Sequence, residues 1–343
     1  MKTNILFFTL INTLVLIIGL IFLNEQSIKK SKINPIEIVK EPEIEKIEEK
    51  KLEISNPQPS YLDYPKIIDQ LKKWNKEVGE ITEIGSYGKS SKGLDLYYIR
   101  LTNTKIKEDK PKVLITACIH GNEPLATATV MWYIGNMLQN YSLNDKIKKL
   151  FDTRDVYFIP VVSPDSYPKS RYVDGVDPNR NFPKQNDPNQ KSVAPVGYLM
   201  EFFKKIKPKA VISSHTWGRV FLIPFGDTME DSKDHDSYVK IIGDMAKLSK
   251  YRYIKASDMY LGNGGLNNPP IRAMGLSYDE YKYSVPIYGT ELDWYYRNGA
   301  FATVMEFGTH QRIPSDLDIK TEFDMTYEAF LHFLEEAPKV ELK

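Results

Sequence analysis

Cysteine is nearly absent from this sequence: Cys118 is the single one in 343 residues. One thiol cannot build an intrachain disulfide framework, and it excludes every metal site made from several cysteines. Cys118 lies inside the apolar run from Val113 to Ile119, where it reads as a small core residue rather than a reactive thiol. An excess of either charge is also missing. The 46 basic and 45 acidic residues leave a formal net charge of +1, so no nucleic-acid partner is expected and any charge recognition must be local. Histidine is scarce, with five in the chain, which makes the setting of each one informative. Hydrophobic residues, by contrast, make up 42% of the chain, enough for a substantial core in one large α/β domain or two small ones.

One apolar run is of a different kind. Ile5 to Leu23 is nearly all Leu, Ile, Phe and Val, broken by Thr9, Asn12, Thr13 and Gly19, and is about long enough to span a bilayer. It exceeds the usual apolar stretch of a cleaved signal and no small-x-small pattern follows. Residues 4–23 are therefore expected to form a retained transmembrane anchor, with secretion after signal cleavage as the alternative. Lys29, Lys30 and Lys32 behind the span favour a cytoplasmic body. The short positively charged start and the long tether that follows favour export, and an extracytoplasmic body is the expectation adopted.

Residues 24–59 are polar and charged and end in Asn56-Pro57-Gln58-Pro59; they read as a flexible spacer. The folded domain is placed at 60–343. Ile67, Ile68, Leu71, Trp74 and Val78 recur at helical spacing before Gly79. Two strand-like runs at 81–87 and 94–101 flank a turn-rich connection and suggest a hairpin. Apolar strands at 113–119, 156–162, 210–214, 220–225 and 302–307 then alternate with helical stretches at about 124–138 and 322–334. That order implies an α/β fold, a mixed and mostly parallel twisted sheet with helices on both faces, whose function sits at the strand ends.

Four polar residues end or interrupt these strands. His120 and Glu123 follow the first, His215 follows Ala210 to Ser214, and Glu306 lies between Met305 and Phe307. A carboxylate or imidazole beside a buried strand loses its hydration and needs a strong partner in exchange. A metal ion is such a partner, and two imidazoles with one carboxylate suit one zinc ion with a position left open. Each residue also has a plainer explanation: a cap or surface ion pair for His120 and Glu123, a core histidine for His215, a buried salt bridge for Glu306. His235, His310 and His332 lack a strand context, which leaves His215 as the best third ligand, and Glu306 as the carrier of the proton that activated water must lose. A loop carrying Arg171, Asn179 and Arg180 could clamp an anion, since guanidinium grips a carboxylate in bidentate fashion and an amide donates once more; a polar loop with surface arginines is the alternative.

The motifs taken together resemble the zinc carboxypeptidases of the carboxypeptidase A superfamily, of the bacterial type, over about residues 61–340. The resemblance rests on His-x-x-Glu at 120–123 and Gly-Val-Asp-x-Asn-Arg-Asn-Phe at 175–182. It continues with Ser-His at 214–215 before Leu-Ile-Pro-Phe-Gly at 222–226, then Asp-Trp-x-Tyr-x-x-Gly at 293–299 followed by a strand that contains Glu306. It implies His120, Glu123 and His215 as zinc ligands, Glu306 as the base that activates water, and Asp177 as the carboxylate that orients the His120 ring. Asn179 and Arg180 would grip the terminal carboxylate of the substrate, and Arg171 would stabilise the oxyanion. Tyr288 would close over the substrate, with Tyr283 as its rival, and the neutral Leu292 disfavours a strong preference for C-terminal lysine or arginine.

The resemblance thus implies a metallocarboxypeptidase that hydrolyses the last amide bond of peptides with a free C-terminal carboxylate, cell-wall peptides among them. Two other outcomes stay open: a zinc amidase or deacylase on the same scaffold, and a non-catalytic peptide-binding module.

Overall fold

The structure, a computed structural model, describes residues 52–185, 187–228, 230–261 and 287–343. The chain divides into two units, Met1–Glu48 and Glu49–Lys343, and the described residues all belong to the second. The expected membrane anchor at 4–23, most of the spacer and Tyr283 lie outside the described residues. Among the described residues no helix is long and apolar enough to cross a membrane.

Eight strands form one sheet in the order β1-β2-β4-β3-β5-β8-β6-β7. In chain order they are β1 (Thr82–Lys89), β2 (Asp95–Leu101), β3 (Lys112–Ala117), β4 (Asp155–Ile159), β5 (Ala210–Thr216), β6 (Val220–Ile223), β7 (Arg252–Lys255) and β8 (Phe301–Phe307). The central pairs β4/β3, β3/β5 and β5/β8 are parallel, as is β6/β7; the expected hairpin β1/β2 is antiparallel, and so are β2/β4 and β6/β8. The parallel strands β4, β5 and β8 are buried along their whole length, which is why they read as continuous apolar runs rather than alternating ones.

Alternation is nonetheless present, and it sorts the core into two layers. Val113, Ile115 and Ala117 of β3, Ala210 and Ile212 of β5, and Phe301, Met305 and Phe307 of β8 join one cluster. Leu114, Val211, Ala302 and Val304, between them in sequence, join the other. The first cluster is covered by α1 (Tyr64–Glu77), α2 (Pro124–Gln139), α3 (Asp145–Thr153), α5 (His235–Ser249) and α8 (Asp316–Glu336). The second is covered by α4 (Ala194–Ile206), with Ala256 of α6 (Ala256–Leu261) and Leu292, Trp294 and Tyr295 of α7 (Glu291–Arg297). Helices on both faces follow from strands that are apolar on both faces.

Local departures have local causes. The last helix begins at Asp316 rather than near 322, because Ser315 and Asp318 form a reciprocal capping box; its first turn carries Leu317 at 73% exposure, so no apolar period announces it. β6 stops at Ile223, since Pro224 has no N–H to continue a ladder. The end of the stretch read as spacer lies against the body: Trp132 Nε1 donates to the Pro59 carbonyl at 2.8 Å, and Trp74 Nε1 to the Ser55 carbonyl at 2.7 Å.

Candidate active site

Strand β3 leads through α2 to β4 on one side, and the chain then returns to place β5 on the other side. Such a switch in direction leaves a crevice beyond the C-terminal strand ends, and His120, just past β3, and His215, near the end of β5, flank it. His215 is the register partner of Glu306 on the neighbouring parallel strand β8. The turn after β3 is tightly made. Cys118 adopts φ +50°, left-handed and uncommon for a residue with a side chain. At Gly121 a Cβ would lie 2.4 Å from Ser166 Oγ and 2.5 Å from its backbone carbon, so only glycine fits between His120 and the ligand-bearing start of α2.

His120 Nδ1 lies 2.9 Å from Glu123 Oε1, and His215 Nδ1 lies 2.9 Å from Glu123 Oε2. All three residues are buried, and one donor atom from each falls within 4.8 Å of the other two. This arrangement has its polar atoms turned toward one point and answers to the ligand set of a catalytic zinc, two nitrogens and one oxygen. The remaining atoms are held from outside. His120 Nε2 is 3.0 Å from Asp177 Oδ1, and the other oxygen of Asp177 accepts from Arg171 Nε at 2.9 Å. Asp177 Oδ1 also accepts the Asn179 backbone N–H at 3.0 Å. One carboxylate thereby fixes a ring, a guanidinium and the start of the 179–180 turn.

Two participants carried no mark in the sequence. Glu291, fully buried, places Oε1 2.7 Å from His215 Nε2, and its backbone N–H donates to Asn179 Oδ1 at 2.8 Å. Gln311, in the loop after β8, donates from Nε2 to Glu123 Oε1 at 3.2 Å and to the Thr216 carbonyl at 2.9 Å. A further glycine secures the opposite wall. At Gly289, with φ +71°, a Cβ would sit 2.6 Å from the Arg180 carbonyl oxygen, and the Gly289 carbonyl accepts from Phe182 N–H at 3.1 Å.

The electrostatics favour a cation at the point of convergence. Burial alone would raise the Glu123 carboxyl, but the positive charges of His215 and then His120 outweigh it and hold it low. Burial would likewise raise Asp177, yet its bond to His120 and the charges of His120, Arg171 and Arg180 keep it well below the ordinary carboxylate range. Burial disfavours a charged His215, and the neighbouring Glu123 and Glu291 reverse that, pushing its pKa well above the usual imidazole value. Glu306 is pushed up to about 7 by burial, with His215 opposing and the negative Glu123 adding. Its Oε2 is buried without a hydrogen-bond partner among the described residues. Two carboxylates crowded this way without a divalent cation repel each other.

The expected residues are thus mostly brought together. Asn179, Arg180 and Glu306 line one pocket, closed by Leu222, Gly226, Ala256, Ile287, Thr290, Leu292 and Val304. Arg171 reaches the same region, its Nη1 3.9 Å from Glu123 Oε1. Tyr288 stands apart: it is 43% exposed and lines a neighbouring groove of about 890 Å³ with Phe225, Asp227, Tyr296 and Arg297.

Fold and donor set together define a protein with a mononuclear zinc centre at the switch edge of an α/β sheet. The chain belongs to the zinc carboxypeptidase family, whose pattern matches residues 67–329. It is 25% identical over 258 residues to a zinc carboxypeptidase of Saccharothrix mutabilis subsp. capreolus, covering 61% of this chain and 58% of that one. It is 23% identical to carboxypeptidase O of Bos taurus, covering 65% of this chain and 70% of the relative. The chain therefore spans less than two thirds of the bacterial relative's length. Among solved structures, thrombin activatable fibrinolysis inhibitor superposes with a TM-score of 0.70 at 18% identity, covering 83% of this chain and 78% of that one, a likeness of fold.

Proposed function

We propose that this chain is a zinc-dependent metallocarboxypeptidase that hydrolyses the last amide bond of a peptide with a free α-carboxylate. The observation that carries this reading is the convergence of His120 Nδ1, Glu123 and His215 Nδ1 on one point, with Glu306 beside His215 in register. Zinc bound there would supply the Lewis acidity that makes water a nucleophile near neutral pH. The rest is done by side chains. Glu306 Oε2, buried and without a hydrogen-bond partner among the described residues, takes the proton of the attacking water and returns it to the leaving nitrogen. The Arg171 guanidinium stabilises the oxyanion that forms.

Asn179 and Arg180 hold the substrate carboxylate. Asn179 Oδ1 is committed to the Glu291 backbone N–H, which turns the amide so that Nδ2 is the group left to donate into the pocket. Nδ2 lies 3.4 Å from His215 Nε2, but a ring nitrogen that donates its proton to Glu291 cannot also accept from an amide, so that contact does not occupy it. Beyond the clamp the walls are apolar, with Leu222, Ala256, Ile287, Leu292 and Val304. The oxygens of Asp293 nearby are taken by the N–H groups of Gly226 and Asp227. Walls of this kind favour an apolar C-terminal side chain, whose entry must widen a pocket of about 30 Å³, and Tyr288 would have to turn in from its neighbouring groove to close over it.

The residues at 4–23 would serve as a membrane anchor and 24–51 as its tether, with the catalytic body outside the cytoplasm and wall-derived or imported peptides within reach; this rests on the apolar length of that run. Fractionation and protease accessibility of intact cells test it, and a body shielded from external protease would reverse the orientation. The catalytic reading is tested by comparing a peptide with its C-terminal amide. The free acid should be cleaved faster by on the order of a hundredfold or more, because the amide leaves a buried clamp unpaired. Equal rates would remove the carboxypeptidase and leave an amidase.

A further inference from the structure

We infer that Glu291 is a positioning residue for the metal centre, forming a second carboxylate–histidine pair that orients His215 as Asp177 orients His120. This rests on the zinc reading and extends it to a residue outside the family's motifs as they occur here. His215 is held from both ends: Nδ1 2.9 Å from Glu123 Oε2 and Nε2 2.7 Å from Glu291 Oε1. The same pattern holds at His120, with Nδ1 2.9 Å from Glu123 Oε1 and Nε2 3.0 Å from Asp177 Oδ1. A carboxylate on the outer nitrogen keeps the proton there, so the lone pair of the inner nitrogen faces the metal, and its negative charge makes the ring a stronger donor.

A plainer role as a helix-capping acid does not fit Glu291. Thr290 caps α7, its hydroxyl accepting from Asp293 N–H at 3.3 Å. The Glu291 side chain leaves the helix end and points at the ring instead, with no solvent exposure. Burying a carboxyl is costly without a specific partner, and the partner is a nitrogen on the far side of a metal ligand.

The same residue ties the metal to substrate binding. Its backbone N–H sets the Asn179 amide through a 2.8 Å bond, so one residue orients a ligand ring with its side chain and the carboxylate clamp with its main chain. The two roles can be separated, because a side-chain substitution leaves the N–H in place. Loss at position 291 should act on metal retention and turnover, and leave KM for the peptide nearly unchanged.

The experiment measures zinc affinity by chelator competition, and the visible spectrum of the cobalt-substituted protein, for wild type, Glu291→Gln, Glu291→Leu and Asp177→Asn. The glutamine keeps shape and an acceptor oxygen but removes the charge; the leucine removes both. Zinc should bind about 10- to 100-fold more weakly in Glu291→Gln, more weakly still in Glu291→Leu, with an altered cobalt spectrum and kcat falling while KM holds. Affinities within twofold of wild type and an unchanged spectrum in both variants would overturn the role of Glu291 while the zinc reading stands. Wild-type protein that fails to bind near-stoichiometric zinc would sink the zinc reading itself. The Nε2–H proton resonance of His215 in the wild-type zinc form serves if a variant does not fold: a strong bond to Glu291 must move it well downfield, and a shift like that of a solvent-exposed imidazole N–H would refute the pair while zinc ligation stands.

Discussion

Glu306 shows how much a single position can be made to do. It sits in β8 between Met305 and Phe307, both fully buried, and burial lifts its carboxyl to about 7. A bound divalent cation pulls that value down again. In the base role proposed for it the carboxyl must be ionised, so activity should rise with pH through its pKa, with a midpoint in kcat/KM on the acid side of about 7. A profile flat over about pH 5 to 7 would take Glu306 out of the proton path. Glu306→Gln should keep zinc and lose about 10²- to 10⁴-fold in kcat; the pairing of metal analysis with turnover checks both halves. His215 adds a second pH dependence of the same sign. Its raised pKa in the metal-free state means that zinc must displace a proton from Nδ1, so zinc affinity should weaken as pH falls. Calorimetry in buffers of different ionisation enthalpy should find proton release on zinc binding near neutral pH, and none would contradict the ligand assignment.

At the scale of elements, the site is assembled from strand ends and the turns that leave them. The apolar runs marked the strands well, and the residues that end them are the ones that converge: His120, His215 and Glu306. Glu123 was legible because it opens α2 right after a strand. Glu291 and Gln311 were not. A buried acid in the first turn of a seven-residue helix follows no period, and Gln311 meets Glu123 across 188 positions of chain; such contacts exist only once the fold is formed. The turn that carries Asn179 and Arg180 depends on Gly289. Gly289→Ala would force a side chain into φ +71° and against the Arg180 carbonyl. Stability should drop by about 1–3 kcal/mol, measured by urea denaturation, and KM should rise more than kcat falls, because the displaced residues are Asn179 and Arg180.

For the whole molecule, the two apolar layers position the site, and a polar cluster around the buried Glu322 ties the first layer to it. Arg219, a few residues beyond His215, donates to Glu322 Oε1 from Nε at 3.1 Å and Nη2 at 2.7 Å, and Tyr251 donates to the other oxygen of Glu322. Glu322 belongs to α8, so this cluster pins the loop after β5 to the last helix. Glu322→Ala should cost about 2–3 kcal/mol by stranding those donors, read as a lower midpoint in chemical denaturation at saturating zinc. Zinc itself should stabilise the fold, since it binds the folded chain and not the open one. At a thousandfold excess over its Kd the gain is about 4 kcal/mol, and a melting temperature unmoved by zinc or chelator would count against a metal held by two distant segments.

His215 and Glu306 face each other across one rung of the ladder between β5 and β8. The gap between His215 and Glu306 is therefore written into main-chain pairing, not into any loop. Slippage by one residue would throw one of them to the opposite side of the sheet, so inactive intermediates should be rare: the chemistry is either aligned by the hydrogen-bonded scaffold or lost with it. Surrounding connections can accordingly lengthen, shrink or change their recognition of substrate while the reacting groups keep their spacing.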